Sequence, residues 1–229
     1  MKKIIETYLN EFTNWQISRA IEDIERVLVI LNEAWVYGSQ IFTCGNGGSA
    51  STASHFASDL AKVGLKSFCL NDNVARATAL INDSGWDRLY LEQLELLFKP
   101  KDILIAFSVH GGVGQDKADK WSQNLVLAID YANQTGKSIG IVGFEGGIMR
   151  KICTASIKVN LYSTALVESW HLGITHLLCE CLKGSRIRPV KSCRKCNKIQ
   201  PFENEFCECG NNSFISVAGI MGNIEDIKR

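Results

Sequence analysis

The segment Gly45-Asn46-Gly47-Gly48-Ser49 is followed six residues later by His55 and four residues after that by Asp59. Its surroundings make it a phosphate-cradling loop joined to a metal-capable pair of side chains. Gln40–Cys44 reads as a short buried strand, and Ala50–Lys62 reads as a helix. A strand, a glycine turn and a helix N-terminus together turn unpaired backbone N–H groups and the positive end of the helix dipole toward an anion. Ser49 adds a hydroxyl there. His55 and Asp59 are four apart on the helix, so they share one face, one turn above the other.

These residues need a scaffold that holds the loop at an edge. Beyond residue 37 the pattern alternates strand and helix, with strands expected near 40–44, 66–70, 102–107, 138–142 and 155–159. A long helix is expected over about 114–135, carrying Trp121, Leu125, Ala128, Ile129 and Ala132. Such alternation predicts an α/β fold: a five-stranded parallel sheet with helices on both faces. Ligands in open sheets of this kind sit at the C-terminal ends of the strands. Residues 1–37 show helical spacing, with Ile5, Leu9, Phe12 and Trp15 in one stripe and Ile21, Ile24, Val27, Leu28 and Leu31 in another. These leading helices are expected to pack on the sheet or on a neighbouring subunit.

From about residue 1 to 183 the chain resembles the sugar isomerase (SIS) domain family, in its phosphoheptose isomerase branch. The resemblance rests on the run from Gly45 through Leu60, on Asn82-Asp83, on the strand Ile103–Ser108, on Gly143–Gly147 and on Glu168–His176. It implies a flavodoxin-like SIS fold and substrate contacts from Asn46, Gly47, Gly48, Ser49, Asp59, Asn82, Asp83, Ser108, Val109, His110 and Glu168. It also implies a metal site of His55, Asp59, Glu168 and His176 for zinc or a similar divalent ion, with Asp59 and His176 catalytic. Asp59 stands where the family has glutamate, and Glu168 where it has glutamine. The family's hydroxyl-rich second phosphate loop is Ser108-Val109-His110-Gly111-Gly112-Val113 here, and Ala165 replaces an acidic residue. A weaker and more pH-dependent hold on phosphate is the expected result, with His110 pairing to phosphate when protonated. Eight residues of straight helix span ~12 Å, so Glu168 and His176 share an ion only if the helix begins late or bends. His171 is expected to be a half-buried packing residue.

The 229 residues suit one α/β domain with a small appendage, and 46% of them are hydrophobic, enough for a core. A formal net charge of +1 points to neither nucleic acid nor a membrane as partner. No signal peptide and no stretch near the ~20 apolar residues of a membrane span is evident. Nine cysteines in such a chain suggest reduced thiols, metal and the cytoplasm. Cys44, Cys69, Cys153, Cys179 and Cys181 read as small buried hydrophobes. Lys183–Val190 reads as a linker. After it come Cys193-Arg-Lys-Cys196 and, beyond ten intervening residues, Cys207-Glu-Cys209. Two close pairs across a short loop match a structural tetrathiolate zinc site in a small ribbon. Arg194, Lys195 and Lys198 are offset by Glu203, Glu205 and Glu208, which argues against nucleic acid. The expected division is an SIS phosphosugar isomerase domain over 1–189, a zinc-ribbon-like module over 190–217 and a tail over 218–229.

The function expected is aldose–ketose isomerisation of a phosphorylated sugar in a homo-oligomer, a tetramer by family resemblance. The substrate the resemblance implies is sedoheptulose 7-phosphate, converted through an ene-diol to D-glycero-D-manno-heptose 7-phosphate for surface polysaccharide. The alternative is a non-catalytic SIS scaffold or regulator that binds a phosphosugar and docks a partner through its zinc module.

Overall fold

The computed structural model describes residues 1–15, 17–112, 122–184, 190–196, 199–201 and 206–217. Residues 185–189 of the expected Lys183–Val190 linker, the tail over 218–229, and Val113, Trp121, Lys198, Glu203 and Glu205 lie outside the described residues; Lys183 and Gly184 end a helix and Val190 begins a strand.

Five strands form the main sheet: β1 (Gln40–Gly45), β2 (Lys66–Cys69), β3 (Ile103–Ser108), β4 (Lys137–Gly143) and β5 (Ala155–Val159). They pair in parallel in the order β2-β1-β3-β4-β5. Every residue of β3 is buried, as a central parallel strand covered on both faces requires. Alternation along it feeds two cores. Ile103, Ile105 and Phe107 join Val27, Leu31, Phe56, Leu60 and Leu178 on one side. Leu104 and Ala106 join Phe42, Leu94, Leu125 and Ile129 on the other.

The helices that bear these residues are α2 (Ile21–Tyr37), α3 (Gly48–Lys62), α5 (Leu91–Leu97), α6 (Gln123–Thr135) and α8 (Thr164–Gly184). Helix α3 follows β1 onto the first face and α6 follows β3 onto the second. The chain therefore splits to opposite faces between β1 and β3, and at such a switch point a crevice opens at the C-terminal edge of the sheet. Two strand hydroxyls dock α3: Thr43 Oγ1 donates to the Ala53 carbonyl (2.8 Å) and Ser67 Oγ to the Ala57 carbonyl (2.6 Å). At the opposite edge, buried Asp102 accepts from the backbone N–H groups of Gln40 (2.9 Å) and Lys99 (2.8 Å).

Helix α1 (Lys2–Asn14) has no buried residue. Only the far end of its apolar stripe is covered: the Phe12 ring stacks on Trp170 at 5.1 Å, and Trp15 meets the same indole edge-on at 4.6 Å. Ile4, Ile5, Tyr8 and Leu9 are exposed. Two more helices, α4 (Val74–Ser84) and α7 (Met149–Ile152), complete the domain. A separate antiparallel sheet of β6 (Val190–Cys193), β7 (Ile199–Pro201) and β8 (Phe214–Val217) has the order β7-β6-β8.

The turns after β3 and β4 pack backbone against backbone. Gly111 has φ +67°, and a Cβ there would lie 2.0 Å from the Gly146 carbonyl oxygen. Gly111→Ala therefore combines a left-handed backbone with a clash that no rotamer relieves. We expect it to lower folding stability by about 1–3 kcal/mol, read as a fall in the urea midpoint at unchanged slope.

Candidate active site

β1 ends at Gly45, and α3 begins three residues later with Gly47 as its cap at φ 59° and no capping side chain. The turn closes through the Ser49 N–H to the Asn46 carbonyl (3.1 Å) and the Ala50 N–H to the Gly47 carbonyl (3.0 Å). A buried polar network fixes it from below. Asn46 and Asn124 exchange amide hydrogen bonds of 3.0 and 2.9 Å. The Tyr90 hydroxyl donates to the Gly45 carbonyl (2.5 Å), and Asn71 donates to that carbonyl (3.0 Å) and to the Tyr90 oxygen (2.8 Å). Burial pushes the Tyr90 hydroxyl's pKa up, so it stays a donor.

Beside this turn is a recess of roughly 170 Å³ lined by the polar residues Asn46, Ser49, Ser108, His110, Ser122, Thr164 and Glu168 and by the apolar Phe107 and Val109. The second loop itself brings one hydroxyl, that of Ser108; Ser49, Ser122 and Thr164 reach the recess from other segments. Ser122 lies 14 residues beyond Ser108. It caps α6 with φ 60°, and its Oγ is 3.4 Å from the Asn46 amide nitrogen that donates to it. The expectation of one helix over about 114–135 concealed it, since Ser122 stands at the N-cap of α6, which begins at Gln123. Asn124, Tyr90 and Asn71 were also missed. The usable signal for Ser122 was a serine just before an apolar-periodic run. The N-termini of α3, α6 and α8 all reach the recess, which favours an anion there.

His55 and Asp59 stand one turn apart on α3, and His176 reaches them from α8. His55 Nε2 is 2.9 Å from His176 Nε2 and 3.0 Å from Asp59 Oδ2, while His176 Nε2 is 3.8 Å from the same oxygen. The three ligand-capable atoms lie within 4.8 Å of one another. Lys62 Nζ is 2.9 Å from Asp59 Oδ1. That Lys62 hydrogen bond holds the Asp59 carboxyl below the usual carboxylate range; partial burial opposes it, and the charges of His55, Lys62 and His176 reinforce it.

Glu168 is not in this group. Helix α8 runs unbroken through both residues, so the ~12 Å between them along the axis remains. Its carboxyl lies instead against the glycine loop, where a Cβ on Gly48 would be 2.5 Å away. Asn82 and Asp83 are exposed at the end of α4, bonded to each other at 2.8 Å, and do not line the recess. Cys44, next to the loop, is fully buried, and burial with Cys69 and Cys153 nearby pushes its thiol well up, so it is unreactive. His171 is fully buried rather than half-buried, 6.3 Å from the Phe107 ring, and the Val142 backbone beside its ring only partly offsets the effect of burial.

A doubly wound parallel sheet with a glycine turn at its switch point, and an imidazole–carboxylate cluster between α3 and α8, defines the class. The SIS domain family model matches residues 7–115. A phosphoheptose isomerase of Syntrophotalea carbinolica is 30% identical over 195 residues, 81% of this chain and 95% of that protein. The lincomycin biosynthesis protein LmbN of Streptomyces lincolnensis is 38% identical over 164 residues, but these span 66% of this chain and only 58% of that protein. The solved phosphoheptose isomerase of Francisella tularensis superposes with a TM-score of 0.70 at 24% identity, covering 79% of this chain and 96% of that one. The chain belongs to the SIS domain family, in its phosphoheptose isomerase branch.

Burial pushes the His171 imidazole down to about 4, against about 6.5 in the unfolded chain. Above pH ~6.5 both states hold it neutral and its contribution is complete. As pH falls toward about 4, the unfolded chain takes up a proton that the native state refuses, so stability declines by up to ~1.4 kcal/mol per pH unit. His171→Leu is expected to remove that part of the slope in urea unfolding series between about pH 7 and 5.

Proposed function

We propose that this chain is a phosphosugar aldose–ketose isomerase acting on sedoheptulose 7-phosphate to give D-glycero-D-manno-heptose 7-phosphate. The observation that carries this reading is the Asp59 oxygen on α3, beside the imidazoles of His55 on the same helix and His176 on α8, with the glycine turn at the N-terminus of α3. The phosphate is held by the Gly47–Ser49 turn and by the Ser49, Ser108, Ser122 and Thr164 hydroxyls, with Asn46, Val109 and His110 closing the recess. Asn82 and Asp83, exposed outside this recess, are substrate contacts on the family resemblance alone.

Asp59, kept ionised, removes the carbon-bound proton next to the sugar carbonyl and returns it to the neighbouring carbon. His176 gives a proton to the carbonyl oxygen and takes one from the adjacent hydroxyl, so the ene-diol forms and collapses without net proton loss. The His55, Asp59 and His176 donor set suits zinc, manganese or iron. Such an ion supplies electrophilic stabilisation of the sugar oxygens when bound. The carboxylate of Glu168 suits a sugar hydroxyl better than a phosphate, since like charge would oppose the latter. Exposed apolar residues on α1 support a homo-oligomer, a tetramer in our reading, and the thiol-rich composition supports a cytoplasmic setting.

A second reading, a phosphosugar-binding scaffold without turnover, is favoured by the Lys62 ion pair on Asp59 and the Glu168 carboxylate in the recess. Purified protein incubated with sedoheptulose 7-phosphate and followed by NMR separates the two. Turnover that falls by about 10²–10⁴ in His176→Ala, with unchanged circular dichroism, is expected; binding without turnover would establish the scaffold.

Glu168→Ala distinguishes the two places proposed for this residue, because it removes every side-chain oxygen, whereas glutamine, the family's residue there, keeps one that can hold an ion. We expect it to leave any metal bound by His55, Asp59 and His176 in place and to change KM. Loss of that metal, measured by elemental analysis, would return Glu168 to the ligand set.

A further inference from the structure

The four cysteines of the C-terminal sheet are brought together by two short turns that face each other. Cys193 ends β6, and Cys196 closes the turn that follows it. Cys207 and Cys209 lie in a second turn before β8, tightened by the Gly210 N–H to the Cys207 carbonyl (2.7 Å) with Gly210 at φ 78°. Cys193 and Cys207 are buried. The sulfurs of Cys193 and Cys209 are 3.5 Å apart, as are those of Cys196 and Cys207, and all four lie within 4.8 Å of one another. Four sulfurs at about 2.3 Å from a tetrahedral zinc ion would be spaced by about 3.8 Å.

The surroundings suit charged sulfur. The Lys195 backbone N–H points at Cys193 Sγ (3.4 Å), and so does the Asn211 side-chain amide (3.3 Å). Asn211 is itself fixed, since its amide also donates to the Ser213 carbonyl (2.7 Å) and its own carbonyl accepts from the Cys207 N–H (2.8 Å). Donors held toward a ligand sulfur are the outer support that a thiolate metal site uses. The sheet around them has strands of four, three and four residues, too little to stand without a staple.

We propose that Cys193, Cys196, Cys207 and Cys209 bind one zinc ion as four thiolates, that this ion holds the three-stranded sheet together, and that Asn211 positions Cys193 for it. Binding releases the four thiol protons to solvent and leaves a site of net charge −2; no electrons move. The site is separate from the His55, Asp59 and His176 cluster in both residues and ligand type.

The test uses the full chain, purified without added metal and analysed for metal per chain by mass spectrometry. A His55→Ala/His176→Ala chain is expected to keep one zinc, and Cys196→Ser or Cys209→Ser in that background to lose it. Cobalt exchanged into the double-histidine variant should show thiolate charge-transfer absorption and the strong visible bands of a tetrahedral site. Asn211→Ala should keep the zinc but release it at least tenfold faster to a chelator. Three results would each overturn the proposal: no metal in the double-histidine chain, iron in place of zinc, or cysteines recovered as disulfides. Because those chains cannot perform the proposed isomerisation, the outcome does not depend on that activity.

Discussion

The carbonyl oxygen of Gly45 accepts hydrogen bonds from the Tyr90 hydroxyl and the Asn71 amide at the point where β1 ends. These two bonds fix the last residue of β1, still in register with Phe107, where the chain turns toward α3. Asn71 also receives the Gly45 N–H through its Oδ1 (3.2 Å), so a single side chain takes both backbone groups of that residue. Asn46 then engages Asn124 at the start of α6, on the other side of the switch point. A buried network that is fully paired is rigid, and one missing partner leaves an unsatisfied group whose desolvation is not recovered. The turn, the start of α3 and the start of α6 are thus fixed together.

What could be read from the sequence was what is local. The strand, turn and helix from Gln40 to Lys62 are contiguous, and the four-residue step from His55 to Asp59 sets their shared face without tertiary information. The parallel sheet with helices on both faces followed from alternation, its strand order did not, and the cysteine pairs were plain from spacing. The amide pair of Asn46 and Asn124 joins residues 78 apart, and nothing in either neighbourhood announces the other. Ser122 was hidden for a related reason: its value comes from the fold returning it to the first turn. The placement of Glu168 shows the converse, where helix geometry known in advance already argued against a shared ion with His176, and the unbroken α8 bears that argument out.

The two ends of α1 show how far packing within one chain extends. Phe12 and Trp15 close over Trp170, whose Nε1–H reaches the Phe12 carbonyl at 3.1 Å. Trp170 is two residues from Glu168 and one from His171, so the leading helix is seated on the same stretch of α8 that lines the recess. The first turns of α1 have no such seat, and their apolar side chains face outward.

Helix α3 is clamped to β1 and β2 by hydrogen bonds at Ala53 and Ala57, between its anion turn and Asp59. It is therefore a ruler of fixed length: Ser49 and Asp59 are separated by ten residues, ~15 Å along the axis, with His55 between them at ~9 Å. A clamped helix cannot stretch or slide to suit its ligand. Under the isomerase reading, the span from phosphate to reacting carbon is gauged by counting residues in α3, and a sugar with a shorter carbon chain would be anchored correctly and still fall short of the base.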